Sequence, residues 1–553
     1  MSLRPQAEFC VPVETARVAK TVFPNGNIYL TLADSLGAFL SEQDFAHLFP
    51  HRGQPAVSPF RLALATIMQY VEGLTDRQTA EAVRSRIDWK YLLCLELTDS
   101  GFDYTVLSEF RTRLINSQAE SLIFEKLLGL CRDKGWLKAR TRQRSDSTHV
   151  LAAIRGMTRV ECVGETLRAA LNTLAVVAPE WLRACSQPQW IKRYSTRIEA
   201  HRQPKSESQK LQLAQTYGAD GLQLLNCIFD TTSPVWLRAI PAVEMLRRVW
   251  VQQYYLCENI LHWRTSENIP PASVMISSPY EPDAHYAKKY TTSWIGYKVH
   301  LTETCESDAP HLITHVETTD APMADGDVTD QIHAALQSKN LLPDKHIVDT
   351  GYLDAELLVT SQQQYGIDLV GPTRLDYRWQ AKEGKGFAAV NFFVDWKQKI
   401  VTCPEGKTSS SWTSAKDSHG HGVVKIKFAQ KDCTDCPSQP LCTTRSKQTR
   451  RTVTLRLEQQ CLALQTARIR ETTAQFKQEY ARRAGIEGTL SEGVRVHRLR
   501  HARYIGLPKT HLQHLMTATA INLKRIFHWL VEKPLAATRT SRFVALMTQP
   551  ANS

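Results

Sequence analysis

The sequence predicts an α/β core that is interrupted by two insertions and preceded by a helical domain. Two observations point to the core. Strand-like runs at WIGYKVHLTET (294–304) and HLITHVET (311–318) precede a helical stretch at 327–338, and KHIVDTGYL (345–353) then carries a third strand into an acid and a Gly turn. Strands, a helix and a strand ending in an acid form an α/β order. A third observation shows the interruption: the β-like run RQRSDSTHVL (142–151) stands far ahead of these strands, across some 120 residues of mostly helical pattern at 155–275.

The elements follow in order. Residues 1 to about 34 show no strong periodicity beyond an apolar stretch at 28–32. From 41 to 131 the pattern is helical, with Leu62, Ile67, Tyr70 and Val71 near helical spacing and a capped turn at Leu74-Thr75-Asp76. LTDRQTAEAVRSRIDWKYLL reads as two short helices meeting at 85–88, the size of a helix-turn-helix whose second helix would present Arg84, Arg86 and Lys90 to DNA. An ordinary helical bundle fits the same pattern. In the first insertion, 166–177 places Leu167, Leu171 and Leu174 on one face, and the basic segment 191–210, broken by Pro204, reads as a loop or helix end. In 294–304, Ile295, Tyr297, Val299 and Leu301 alternate with Gly296, Lys298, His300 and Thr302.

The composition shifts again at 371–455. FAAVNFFVDW, IVTCPEG and VVKIKFA read as strands and SSSWTSAKDSHGHG as a loop. A long amphipathic helix is expected over 455–483 and a strong final helix from His511 onward. The expected division is a helical domain at 1–140, a first core strand at 141–154, the helical insertion at 155–275, the middle of the core at 276–370, a β-rich Cys-containing insertion at 371–455, the C-terminal core helices at 456–535 and a tail at 536–553.

The chain has 553 residues, and its 68 Lys and Arg against 55 Asp and Glu give a formal charge of +13. Such an excess favours a polyanionic partner, since each cation placed on a phosphate releases a condensed counterion. No run approaches the roughly 18–20 apolar residues of a membrane span, and MSLRPQAEFC has no export-type apolar region. The expectation is a soluble, intracellular protein. Thirteen cysteines, an odd number, then point to reduced thiols, with or without a metal cluster, more than to a disulfide framework.

Three acids are candidates for chemistry. Asp146 lies inside a short strand flanked by Ser145, Ser147 and Thr148. Asp349 stands where an apolar strand meets a Gly turn, the end at which open α/β sheets expose functional groups. Glu487 follows Tyr480 and Arg483 at helical spacing, in a segment that also carries Gly485 and Gly488 at a cost of about 1 kcal/mol each to a helix. Arg495, Arg498, Arg500, Arg503 and Lys509 then form the densest phosphate-binding candidate in the chain. Three acids from separate elements make physical sense together as ligands of Mg²⁺ (or Mn²⁺), a hard cation that takes one or two carboxylates and fills its shell with water and phosphate oxygens.

At this point the chain resembles DDE transposases of bacterial insertion sequences. The residues that carry the likeness are SDSTHV around Asp146, the run from Trp294 to Ala321, HIVDTGYLDA around Asp349, Tyr480-x-x-Arg483-x-x-x-Glu487, and RYIGLPKTHLQHLMTATAINLKR from Arg503. It looks closest to insertion-sequence family eleven-eighty-two, whose helical domain SPFRLALATIMQYVEGLTDRQTAEAV resembles. The resemblance implies a ribonuclease-H-like core, metal ligation by Asp146, Asp349 and Glu487, and phosphate positioning by Tyr480 and Arg483. It also implies double-stranded DNA partners (the element's terminal repeats and a target), a homodimer when two ends are synapsed, and a cytoplasmic, nucleoid-associated location. One departure is plain: relatives carry a lysine seven positions after the glutamate, where this chain has Val494 with Arg495 beside it. An Arg there brings a planar fork in place of a point charge.

Cys403, Cys433, Cys436 and Cys442 could form a structural Zn²⁺ site, with His419 and His421 as substitute ligands, or remain reduced thiols. Two other functions share the sequence. A DNA-binding regulator would keep the helical domain without chemistry, and a metal-dependent nuclease would cut without joining.

Overall fold

The computed structural model describes residues 2–3, 10–37, 39–199, 201, 203–382, 386–418, 420–443, 450–533 and 542–543. The chain forms two compact units: Met1–Leu137 with Glu306–Ile313 and Leu512–Ser553, and Lys138–Cys305 with Thr314–His511. Among the described residues no helix is long and apolar enough to cross a membrane.

The first unit is helical. Helices Pro59–Glu72, Asp76–Ser85, Ile87–Leu92, Thr105–Asn116 and Leu122–Asp133 fall where the sequence pattern places them. Each boundary has a local cause. Gly73 ends the first of these in a left-handed conformation, and a Thr75–Gln78 capping box starts the next. Two further helices, Val13–Val22 and Ile28–Leu36, occupy the stretch in which periodicity was not expected. The second starts because the Asn27 side chain accepts from the amides of Tyr29 and Leu30, a cap that a window of apolar periodicity does not register.

The second unit is built on a six-stranded mixed sheet. Its strands are β1 (Arg142–Leu151), β2 (His285–Lys289), β3 (Thr292–Thr304), β4 (Ile313–Asp320), β5 (Lys345–Ile347) and β6 (Asp368–Val370). The order is β2-β3-β1-β5-β6, with β4 also on β3. β1 runs antiparallel to β3 with Asp146 opposite Leu301, and parallel to β5 with Arg142 opposite Lys345. β5 pairs with β1 only as far as Arg144, so Asp146 lies just past its end. Helices Asp325–Ser338 and Ala355–Tyr365 connect β4 to β5 and β5 to β6.

The helical insertion has its own apolar core, including Leu167, Leu174, Trp190, Leu224, Leu246 and Trp250. It is not helical throughout: Tyr254–Cys257 and Ile260–Trp263 form a hairpin. Its turn, Glu258-Asn259, takes positive φ at both positions, a hairpin turn without the Asn-Gly signal that would announce it. In the β-rich insertion Ser409–Lys416 is a strand and not the expected loop, because it pairs with the amphipathic strand Gly422–Phe428. The helix expected over 455–483 is instead a strand, Thr452–Arg456, then helices Glu458–Glu471 and Ala474–Tyr480. Thr473 breaks it by capping the amide of Phe476.

Candidate active site

Alternation along β1 sends Arg144 and Asp146 to one face and Ser145 and Ser147 to the other. Helix Ala484–His497 covers the first face. Beneath it, Arg144 donates to Glu303 of β3 at 2.7 Å through Nε and to the carbonyl of Arg482 through Nη1. The second oxygen of Glu303 accepts from Thr489 of the helix at 2.6 Å. Gly485 is fixed by this network, since a Cβ there would lie 2.2 Å from the Arg144 guanidinium, which is already held on two sides.

This platform places Glu487. Arg483 joins its Nη2 to Asp146 Oδ2 at 2.7 Å and its Nη1 to Glu487 Oε1 at 2.8 Å, so one guanidinium holds acids from β1 and from the helix. Among the described residues the buried Arg483 Nε has no hydrogen-bond partner. Asp349 follows β5 and accepts from the amide of Gly351 at 2.8 Å, which fixes its carboxylate at the turn. Burial pushes the Asp146 carboxyl up; Arg483 opposes this, while the neighbouring Asp349 charge adds to it. Tyr480 stacks on Phe476 at 5.6 Å and 5°. Burial raises its phenol, Arg483 pulls it down, and Asp349, Asp146 and Glu487 push it further up. The sequence-predicted acids, Tyr480 and Arg483 are thus gathered in one place.

The other face of β1 holds a group the sequence reading missed. Asp325 pairs with Lys298 at 3.0 Å and accepts from Ser147 at 3.3 Å. Burial works against its charge, yet Lys298 holds the Asp325 carboxyl below the usual range. A Cβ on Gly351 would lie 3.0 Å from Asp349 Oδ1 and 3.1 Å from Asp325 Oδ2, so these two acids flank one point. Lys298 was legible, since alternation in β3 puts it on the polar face. Asp325 was not, because it reads as an ordinary acid of a helix first turn. Below them a buried chain runs from Thr302 through Ser145 to His346 and His333, at 2.6, 2.6 and 2.8 Å.

The basic candidates divide. Arg495, Arg498, Arg500 and Lys509 are exposed and Arg503 is partly exposed, with Arg500 Nε donating to Thr148 at 2.8 Å. In the helical unit Arg84 is exposed beside Glu81. Arg86 is taken up by Glu72 and Asp88, and Lys90 is buried, donating to the carbonyls of Asp99 and Glu96. Lys90 is here a structural cation under its helix, with no free ammonium to offer a groove.

Residues 402–527 match the family described as Transposase DDE domain, and residues 18–113 match Transposase domain (DUF772). Both are transposase domains. The first match contains Glu487, Arg483 and the four clustered cysteines; Asp146 and Asp349 lie ahead of it. No curated protein matches the chain.

Cys403, Cys433, Cys436 and Cys442 line a single cavity of about 30 Å³ with Phe387, Phe392 and Phe428. The amide of Lys407 donates to Cys403 Sγ at 3.3 Å. His421 is paired with Glu356 at 3.0 Å, and His419 lies outside the described residues. Among the described residues no three His, Cys, Asp or Glu side chains converge as a metal-binding group. At the acids, the guanidinium of Arg483 stands between Asp146 and Glu487.

Proposed function

We propose that this protein is a DDE transposase of a bacterial insertion sequence, of family eleven-eighty-two, which binds the terminal repeats of its element, cuts them and joins the freed 3′ ends to a target. The observation that carries the reading is Arg483, which holds Asp146 and Glu487 on one guanidinium with Asp349 adjacent, in a chain with two transposase-domain matches. The strand order β2-β3-β1-β5-β6, antiparallel on one side of β1 and parallel on the other, supports a ribonuclease-H-like core.

The donor set fits a hard divalent cation. Asp146, Asp349 and Glu487 offer only carboxylate oxygens, and the pressure of burial and of Asp349 on Asp146 is what a bound cation relieves. Mg²⁺ or Mn²⁺, as a pair of ions, would activate a water or 3′-hydroxyl and stabilise the leaving oxygen. The chain's own groups do the positioning. Arg483 keeps two acids together against their mutual repulsion. The Arg144–Glu303–Thr489 network fixes the helix that delivers Glu487. Arg495, Arg498, Arg500, Arg503 and Lys509 supply phosphate contacts along the same segment, and two copies acting together would synapse two DNA ends. The helical unit, with Arg84 at its surface, would recognise the terminal repeats, with Arg86 and Lys90 supporting its second short helix.

The soft thiols of Cys403, Cys433, Cys436 and Cys442 fit a structural Zn²⁺ of the β-rich insertion. Metal analysis of purified protein should find about one zinc per chain, absent in a Cys433→Ser, Cys436→Ser variant; zinc-free wild type would overturn that part.

The test of the function is incubation of the purified protein with the DNA flanking its own gene, plus Mg²⁺, with the cut ends mapped. Specific cleavage at the element ends followed by joining of the 3′ ends is expected. Cleavage without joining would make it a nuclease, and specific binding without cleavage a regulator.

A further inference from the structure

β2 and β3 form an arm beside the acids. The ladder of β3 with β1 ends at Gly296 opposite Leu151, with one further bond from Ala152 to the Ile295 carbonyl and Trp294 packed on His149, so it is the exposed hairpin end, residues 288–293, that projects beyond the sheet. Gly296 permits the departure: its φ is +150°, and a Cβ there would meet the carbonyl oxygen of Val150 at 2.1 Å. Lys289 and Thr292 close the hairpin around a two-residue turn, Tyr290-Thr291.

That turn is chemically odd. Tyr290 has φ +54°, a left-handed position that hairpin turns normally give to Asn, Asp or Gly. A bulky side chain there costs roughly 1–2 kcal/mol. The ring recovers nothing by packing, for Tyr290 is 88% exposed. Lys288 and Lys289 beside it are exposed too. The tip nevertheless reaches the site, since Lys289 Nζ lies 3.8 Å from Asp325 Oδ2, and Asp325 flanks Gly351 together with Asp349. An unpacked aromatic ring in an unfavourable conformation, preceded by two cations at the rim of an acid cluster, serves a ligand and not the fold.

We propose that this hairpin grips the DNA end: Tyr290 stacks on a base unpaired from the terminal duplex, and Lys288 and Lys289 hold the flanking phosphates. The chemistry suits each partner, because every base offers a π-face to an aromatic ring and strand phosphates attract ammonium groups. Opening the terminal pair lets the scissile strand leave the duplex and approach Asp146 and Asp349. Tyr290 is a positioning residue, and its role rests on the transposase reading above.

The test uses full-length protein and duplexes of the DNA flanking its gene, with 2-aminopurine placed in turn at each terminal position, in Ca²⁺ so that binding is read without cleavage. Wild type should raise the fluorescence several-fold at one terminal position. Tyr290→Ala should lose that rise and, with Mg²⁺, cut paired ends about tenfold more slowly, recovering on ends with a mismatched terminal pair. Tyr290→Phe should behave as wild type. Equal fluorescence from wild type and Tyr290→Ala, or no responding position with wild type, overturns the proposal. If wild type cuts specifically while either of these results holds, only the hairpin's role falls. If Asp146→Asn cuts as well as wild type, the transposase reading falls on its own.

Discussion

Two Arg–Glu pairs lie on the same helix-covered face of β1, and they differ in almost everything but residue type. In Arg144–Glu303 the side chains are 7% and 0% exposed, and both oxygens of the carboxylate are occupied, by Arg144 and Thr489. In Arg483–Glu487 the Arg is 13% exposed, but the Glu is 63% exposed and meets Arg483 through one oxygen. A saturated, buried pair can only hold structure, because nothing can approach it and breaking it strands a charge. An open pair that also grips Asp146 holds its acids in place and leaves lone pairs for a ligand. On the proposed function, the division between the pairs is a division between scaffold and chemistry.

The comparison can be broken first at the open pair. Asp146→Asn and Asp349→Asn should each lower Mg²⁺-dependent cleavage on the order of 10²–10³-fold or more, measured on end-labelled DNA, with binding retained. Normal cutting by either would remove the acid from the site. The closed pair should respond in the opposite currency. Glu303→Gln leaves the Arg144 charge buried with half its partners, and denaturant unfolding should show a loss of about 3–5 kcal/mol. Stability near wild type would mean that the pair is not the anchor of the helix.

Gly485→Ala sharpens the same point. Its methyl would press on a guanidinium that cannot swing away, so a loss of about 1–3 kcal/mol is expected where Gly→Ala in an open helix would stabilise by up to about 1 kcal/mol. A stabilised variant would show that Arg144 yields.

The buried histidines on the other face of β1 give a pH signature. Burial drives His300 down to about 4, with its Nδ1 against the Tyr352 hydroxyl at 2.6 Å. An unfolded His titrates near 6.5, so the unfolded chain binds the proton first and stability falls as pH drops from about 6.5 towards 4. The contribution of His300 is on the order of 3 kcal/mol at most. Melting curves of wild type and His300→Gln should therefore diverge less at pH 5 than at pH 7.5; a constant gap would contradict the burial cause.

Much of this was legible in the sequence, for identifiable reasons. β1 was expected over 142–151 and is observed there, because a strand flanked by turns announces itself. Asp146, Asp349, Arg483 and Glu487 converge because strand ends and helical spacing carry positional meaning. Glu492 lies on the same helix as Glu487, Ala484–His497. The platform beneath Glu487 was not readable, since Arg144 and Glu303 are 159 residues apart and only the β1–β3 register makes them neighbours. Asp325 was hidden for the same reason, its role set by Lys298 and Ser147 from two other elements. Lys90 looked like a surface cation because a helical count cannot see the Asp99 carbonyl that folds back over it.

The central claim is that Glu487, held open on Arg483, is a working acid and that its buried counterpart is not. The direct measurement is Mg²⁺-dependent cleavage by Glu487→Gln, normalised to folded protein by circular dichroism, beside Glu492→Gln from the same helix. The account predicts that Glu487→Gln keeps the wild-type melting temperature within a few degrees and loses cleavage, while Glu492→Gln keeps most of it. Wild-type cutting by Glu487→Gln, or loss of cutting only in Glu492→Gln, would contradict it.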